Sequence, residues 1–245
     1  MRYSELVQKG RRSTREKSSH MTMEITPVFF RTLGFYVAPI FLVAGVSANT
    51  ITVTGLILGL LASALIWSQK VFLGIVIVLL VYLLDYIDGT VARTKDEATF
   101  YGRFIDGFFG IIFHSVLRLG LSALIAEDDG LTPIVWLGIF SSVLCPMHFL
   151  FYDRYSAFVR WIKEEGHAVG TKPYLIPNAP RVMNIINDVQ HILLFSLPLY
   201  YYRSDYWVWI LSLYFALNIY MAFYALFSHT KSASLHFRIS AKPHR

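Results

Sequence analysis

Six apolar stretches, each long enough to form a helix that crosses a lipid bilayer, account for most of this chain. A spanning helix needs about 20 mostly apolar residues. The stretches are Thr50–Trp67, Val71–Ala92, Thr99–Ala126, Pro133–Phe151, Val182–Tyr202 and Tyr206–Phe227. The chain is 55% hydrophobic and only 16% charged, whereas soluble domains carry about 25% charged residues. The sequence therefore predicts an all-α, polytopic membrane protein with six transmembrane helices.

A further apolar stretch, Pro27–Ala44, precedes these six and has a different character. Arg31 and Pro39 interrupt it. We interpret it as an amphipathic segment in the cytosolic membrane interface, although its length also permits a seventh span. The predicted organisation has a basic cytosolic tail, an interfacial segment, a six-helix membrane domain and a second basic cytosolic tail. These parts cover residues 1–26, 27–46, 47–230 and 231–245.

The distribution of lysine and arginine predicts the orientation in the membrane. With the N-terminus in the cytosol, all but three of the 22 Lys and Arg residues belong to cytosolic segments; the exceptions are Lys70, Arg118 and Arg203. This asymmetry satisfies the positive-inside rule, and a seventh span would remove it. The net charge is thus explained by topology and by attraction to anionic lipids, in a bacterial inner membrane or a eukaryotic endomembrane. The sequence contains no nucleic-acid-binding motif beside this positive charge, so nucleic acid is not an expected partner.

Three aspartates lie within the second and third apolar stretches, toward the predicted cytosolic side. Asp85 and Asp88 are three residues apart, and Asp106 follows in the next stretch. Acidic groups beside hydrocarbon are costly and indicate function. Residues three or four apart share a helical face, so two packed helices would direct all three carboxylates to one place. Such oxygen ligands suit Mg²⁺, Mn²⁺ or Ca²⁺, and Mg²⁺ commonly completes its shell with water and substrate phosphates.

Small residues and an arginine follow the first two aspartates. Gly89 and Ala92 leave space in which a ligand can approach the backbone. The guanidinium of Arg93 offers a fork of donors that suits a phosphate group. Together with the carboxylates, these residues indicate a site for a metal-bound diphosphate.

The complete run, D-x2-D-G-x2-A-R-x8-G-x3-D over residues 85–106, resembles the signature of the CDP-alcohol phosphotransferase (CDP-alcohol phosphatidyltransferase) family. Asn49 and Thr52 resemble an Asn-x-x-Thr segment that precedes this signature in the family. The resemblance implies an integral membrane transferase with a cytosol-facing site. It would move a phospho-alcohol group from a CDP-linked donor to an acceptor and release CMP, in phospholipid or related glycolipid or polyol-phosphate synthesis.

The resemblance also implies roles for individual residues. Asp85, Asp88 and Asp106 would be catalytic ligands of Mg²⁺ or Mn²⁺. The residues implied on the nucleotide and diphosphate side are Asn49, Thr52, Gly89, Ala92, Arg93 and Gly102. The implied partners are a CDP-alcohol donor, a lipid or phosphorylated acceptor, membrane lipids and a second copy in a homodimer.

The sequence departs from the family signature at Gly110, where the family has a final aspartate assigned as a metal ligand and general base. His114, four residues further on, is a candidate base, or else a histidine hydrogen-bonded in the core. An anionic acceptor would need no base, and Arg118 could bind its charge or instead form a polar contact inside the bundle. A nucleotide-binding relative without turnover is a third interpretation. An ion or proton transporter is the alternative outside this family, since intramembrane acids also mark ion pathways.

Overall fold

The computed structural model of the protein is a bundle of helices, described over residues 3–15, 25–164, 179–202 and 205–240. These ranges contain helices and their connections, without a β-strand. The helices are α1 (Tyr3–Arg15), α2 (Ile25–Val43), α3 (Ala48–Trp67), α4 (Val71–Thr94), α5 (Phe100–Asp129), α6 (Pro133–Glu164), α7 (Ala179–Tyr201) and α8 (Tyr206–Ser240). The prediction of an all-α fold is confirmed.

Six helices in the described ranges are long and apolar enough to cross a membrane, which confirms the predicted number. They are α2, α3, α4, α5, α6 and α8. The set differs from the predicted one at two places. α2 qualifies, although charge counting favoured an interfacial position for it. α7, which covers all but the last residue of the predicted span Val182–Tyr202, does not qualify, and Asn, Asp, Gln and His residues interrupt its apolar sequence.

The two residues that interrupt the apolar sequence of α2 are accommodated within a continuous helix. Pro39 is buried inside α2, and the guanidinium carbon of Arg31 lies 5.9 Å from the centre of the Tyr86 ring on α4. α2 approaches α4 closely at Gly34, where an added Cβ would lie 3.3 Å from the Cβ of Tyr86. Length and composition therefore allow α2 to span, and its interfacial position stays a prediction that rests on charge.

Two helices extend well beyond the limits that the sequence predicted, and a third helix lies in a segment predicted as a tail. α6 continues to Glu164 and α8 to Ser240, because a helix that leaves the bilayer no longer needs apolar residues. α1 lies within the predicted basic tail 1–26 and packs on α2 and α4. Lys9 of α1 forms an ion pair with Asp96 at 3.5 Å. Residues 1–2 and 16–24 of the first predicted tail, and 241–245 of the second, lie outside the described residues.

The core lies where α3, α4 and α5 pack together, and α6, α7 and α8 complete it. Fully buried side chains such as Ile66, Ile75 and Leu121 fill this region. α3 and α5 come close at Gly120, where an added Cβ would lie 2.7 Å from the carbonyl oxygen of Ser63. This close packing fixes the position of α5 relative to its two neighbours.

Side-chain caps stabilise the first turns of α3 and α5. The Oγ atom of Ser47 accepts from the backbone N–H of Thr50 at 3.1 Å, and the Oγ1 atom of Thr99 accepts from that of Gly102 at 2.9 Å. Each cap satisfies a backbone donor that the helix itself leaves unpaired. Lys95 donates to the carbonyl oxygen of Val46 at 3.0 Å and so joins the α4–α5 connection to the α2–α3 connection.

Candidate active site at one end of the bundle

The three predicted carboxylates line one cavity, which we call the carboxylate cavity. Asp85 and Asp88 come from α4, and Asp106 comes from α5. Other residues that line this cavity are Thr52, Tyr82, Gly110 and His114. The helical spacing of the aspartates thus led to the correct expectation that two packed helices bring them together.

Each aspartate has a different environment. Asp88 is 5% exposed, and its Oδ2 atom accepts a hydrogen bond from the Oγ1 atom of Thr52 at 2.6 Å. Asp85 and Asp106 line the same cavity from two different helices. Asp85 is exposed and Asp106 is half-buried, so a ligand can approach this pair.

The oxygen atoms of these carboxylates are suitable ligands for a divalent cation such as Mg²⁺. Within the described residues, no three His, Cys, Asp or Glu side chains form a complete ligand set. Mg²⁺ does not need one, because it is commonly held by one or two carboxylates, with water and substrate phosphates as its other ligands. Asp85 and Asp106 line this cavity from two helices and could hold such a cation, and Thr52 orients Asp88 beside them.

A second cavity adjoins the first, and we call it the Arg93 cavity. All six residues predicted on the nucleotide side line it, namely Asn49, Thr52, Gly89, Ala92, Arg93 and Gly102. Thr52, Asp88 and Asp106 line both cavities. The structure therefore brings the six residues together and places them next to the carboxylates.

Two glycines leave room for polar side chains in the Arg93 cavity. An added Cβ on Gly89 would lie 3.0 Å from the Nη1 atom of Arg93, and one on Gly102 would lie 3.2 Å from the Oδ1 atom of Asn49. The Nε atom of Arg93 is buried and has no hydrogen-bond partner among the described residues. Arg93 therefore lies against Gly89, and its Nε–H group remains available to donate a hydrogen bond to an anion.

Gly110 and His114 both face the carboxylate cavity, as their spacing predicts. An added Cβ on Gly110 would meet nothing within 4 Å. The position of a Gly110 side chain is therefore open space beside the three carboxylates. His114 also lines a third cavity, described below, together with Tyr82 and Asp85.

Among the residues that line these cavities without having been singled out from the sequence, Tyr82 and Arg103 bring polar groups that bear on the chemistry. Tyr82 contributes to the carboxylate cavity, and its ring centre lies 5.8 Å from that of His114. Its position three residues before Asp85 was the available signal, because that spacing shares a helical face. Arg103 lines the Arg93 cavity and directly follows Gly102 in the sequence, so it adds a second cation near the predicted diphosphate position.

One family of known proteins is similar to the part of the chain that contains this site. Residues 45–159 match the family model of the CDP-alcohol phosphatidyltransferases. The match runs from the residues before α3 into α6, includes every predicted site residue, and confirms the resemblance drawn from the signature. No curated protein matches the chain. The family implies phosphatidyl transfer from a CDP-alcohol to an alcohol acceptor in a membrane, and its members are generally dependent on a divalent metal.

Proposed function

We propose that this protein transfers the phospho-alcohol group of a CDP-alcohol to an acceptor and releases CMP, in a reaction that requires Mg²⁺ or Mn²⁺. The observation that carries the proposal is the sharing of residues between two cavities. Asp88 and Asp106 line both the carboxylate cavity and the Arg93 cavity. A diphosphate bound beside Arg93 would therefore lie next to the aspartates.

Each part of the site has a role in this proposal. Asp85 and Asp106 hold the cation, Thr52 orients Asp88, and Arg93 binds the diphosphate with Gly89 leaving room for it. When bound, the cation neutralises charge on the diphosphate, which is the main requirement of phosphoryl transfer. Asn49, Ala92 and Gly102 shape the cavity for the nucleotide.

The transfer step forms one bond and breaks one. The acceptor oxygen bonds to the phosphorus that carries the alcohol, and the bond from that phosphorus to the CMP oxygen breaks. CMP leaves with the electron pair. A hydroxyl acceptor, including the hydroxyl of a phosphorylated alcohol, gives its proton to a base, for which His114 is our candidate because it lines the carboxylate cavity; an acceptor whose reacting oxygen is itself an anion needs none.

The proposal also includes the side of the membrane that the site faces, the biosynthetic pathway and the oligomeric state. The distribution of Lys and Arg supports a site that faces the cytosol. A lipid or a phosphorylated polyol as acceptor would place the reaction in phospholipid or related glycolipid synthesis. The family resemblance supports a homodimer.

Release of CMP tests the proposal directly. Purified protein in lipid nanodiscs is given a panel of CDP-alcohols, with hydroxyl-bearing and phosphorylated acceptors and with Mg²⁺ or Mn²⁺. We expect CMP in equal amount to the transferred product, loss of release with EDTA, and recovery when metal is restored. Nucleotide binding without CMP across the panel would instead indicate a binding protein, and ion flux in proteoliposomes without CMP would indicate a transporter.

The hydrogen bond from Thr52 to Asp88 leads to a prediction about metal affinity. Thr52→Val removes the donor that orients Asp88, and loss of such a supporting contact typically costs about 10- to 100-fold in metal affinity or activity. We expect half-maximal CMP release to need roughly 10- to 100-fold more Mg²⁺. The measurement is a Mg²⁺ titration at saturating donor.

Thr54→Val is the matched control on the same helix. The Oγ1 atom of Thr54 donates to the carbonyl oxygen of Thr50 at 2.8 Å, and the residue lines neither cavity. We expect an unchanged Mg²⁺ requirement. Equal shifts in the two variants would contradict a specific role for the Thr52–Asp88 hydrogen bond.

A further inference from the structure

We propose that a third cavity, the Arg118 cavity, binds the phosphate group of an anionic acceptor. This inference rests on the proposed function and names the class of acceptor that the site takes. Helices α2, α4, α5, α6, α7 and α8 all contribute to the cavity. It adjoins the carboxylate cavity through three shared residues, Tyr82, Asp85 and His114.

Arg118 is a buried cation whose partners in the described structure are neutral. It is 8% exposed. Its Nη1 atom donates to the carbonyl oxygen of His114 at 2.7 Å, and its Nη2 atom donates to Oδ1 of Asn218. No carboxylate among the described residues forms an ion pair with it. A cation at this depth is costly without a counter-charge, and a bound anion would supply one.

The surrounding contacts hold the guanidinium in place. Asn218 donates through Nδ2 to the carbonyl oxygen of Tyr214 at 2.7 Å, which turns its Oδ1 atom toward Arg118. The Nε atom of Arg118 has no hydrogen-bond partner among the described residues. Neutral groups therefore orient the guanidinium of Arg118, and its Nε–H group remains available to donate a hydrogen bond.

Two further polar atoms in this cavity are without partners within the described part of the chain. They are Nε2 of Gln190 on α7 and Oγ of Ser141 on α6. These residues are 7% and 2% exposed, so bulk water does not satisfy them. Unpaired donors from three helices around one cavity suit a phosphate, whose oxygens accept several hydrogen bonds.

The direction of Arg118 connects this cavity to the reaction. Its hydrogen bond to the carbonyl oxygen of His114 shows that the side chain extends one turn back along α5, toward Asp106. His114 lies about 12 Å along the helix axis from Asp106, since each residue adds about 1.5 Å. A small phosphorylated alcohol, or the head of a phosphorylated lipid, could have its phosphate at Arg118 and its reacting oxygen near the carboxylates.

Gly110 fits this arrangement, because it lies along α5 between Asp106 and His114. Its Cβ position is open space in the carboxylate cavity. An aspartate there would add a fourth carboxylate beside the path of an anionic acceptor, and glycine avoids that additional repulsion. The departure from the family signature is thus consistent with an acceptor that brings its own negative charge.

Phosphate binding without turnover tests the inference. The full-length protein is placed in phosphatidylcholine nanodiscs with saturating CDP, so that the Arg93 cavity is filled, and inorganic phosphate is titrated by calorimetry and thermal unfolding. A second arm replaces phosphate with phosphatidic acid in the nanodisc. A response to inorganic phosphate indicates soluble phosphorylated acceptors, and a response to phosphatidic acid alone indicates a lipid acceptor.

We expect Arg118→Gln to weaken the response at least about tenfold, since charge-assisted hydrogen bonds are the strong ones. Arg160→Gln removes the same charge from an exposed position on α6 and should leave the response unchanged. If Arg118→Gln does not fold, Gln190→Leu replaces it and should also weaken binding. No response in either arm, or equal responses in the cavity variants and the control, would overturn the inference. CMP release by the same preparations distinguishes this from failure of the proposed function.

Discussion

Asp85→Asn is expected to reduce CMP release roughly 100- to 1,000-fold, the usual loss when one electrostatic group is removed from the reacting centre. The substitution preserves size but removes the charge that, with the neighbouring Asp106, fits a divalent cation. Binding of the CDP-alcohol should weaken less, because Arg93 and the rest of its cavity are unaltered. Rates of CMP release at saturating Mg²⁺, with nucleotide binding measured separately, check both expectations.

Asp96→Asn provides the matched control for this variant. Asp96 is exposed, lies in the α4–α5 connection, and pairs with Lys9 rather than lining a cavity. We expect its CMP release to stay within about twofold of the original protein, because exposed ion pairs contribute little. Equal losses at Asp85 and Asp96 would show a general effect of charge, and full activity of Asp85→Asn would rule out the assigned role.

Gly120→Ala is expected to destabilise the bundle by about 1–3 kcal/mol, the typical cost of overpacking. The added methyl group would lie 2.7 Å from the carbonyl oxygen of Ser63, and a backbone atom cannot turn aside as a flexible side chain can. α3 and α5 must then separate, which also moves Asp106 relative to Thr52. Thermal unfolding in nanodiscs should show a lower midpoint, together with reduced CMP release.

Gly107→Ala tests the same substitution on the same helix at an open position. An added Cβ there meets nothing within 4 Å, and alanine is favoured over glycine within a helix by up to about 1 kcal/mol. We expect an equal or higher unfolding midpoint. If Gly120→Ala unfolds no earlier than Gly107→Ala, the close contact between α3 and α5 does not stabilise the fold.

The sequence predicted the part of the site that depends on helical spacing alone. Asp85, Asp88 and Arg93 lie within nine residues of one helix, so their relative positions follow from its geometry. The contact between Arg118 and Asn218 could not be predicted in this way, because 100 residues separate them. The unpaired donor of Gln190 joins the same cavity only through the packing of α7.

The fold likewise has features that follow from the local sequence and features that depend on how the helices pack together. Apolar runs predicted where helices occur, but they did not predict the contacts that polar residues in those helices make with neighbouring elements. α7 carries Asp188 because its carboxylate accepts the backbone N–H groups of Ile25 and Thr26 at 2.8 and 2.9 Å, which caps α2. The sequence shows an acid in an apolar stretch and cannot show the helix end that it satisfies.

The three cavities form a row in which each neighbouring pair shares wall residues. Thr52, Asp88 and Asp106 connect the first pair, and Tyr82, Asp85 and His114 connect the second. A single bisubstrate compound, with a cytidine nucleotide at one end and a phosphate at the other, could therefore occupy the whole row. Once one end is bound, the other is held at a high effective concentration, so its affinity should exceed that of either half by about 10²- to 10⁴-fold.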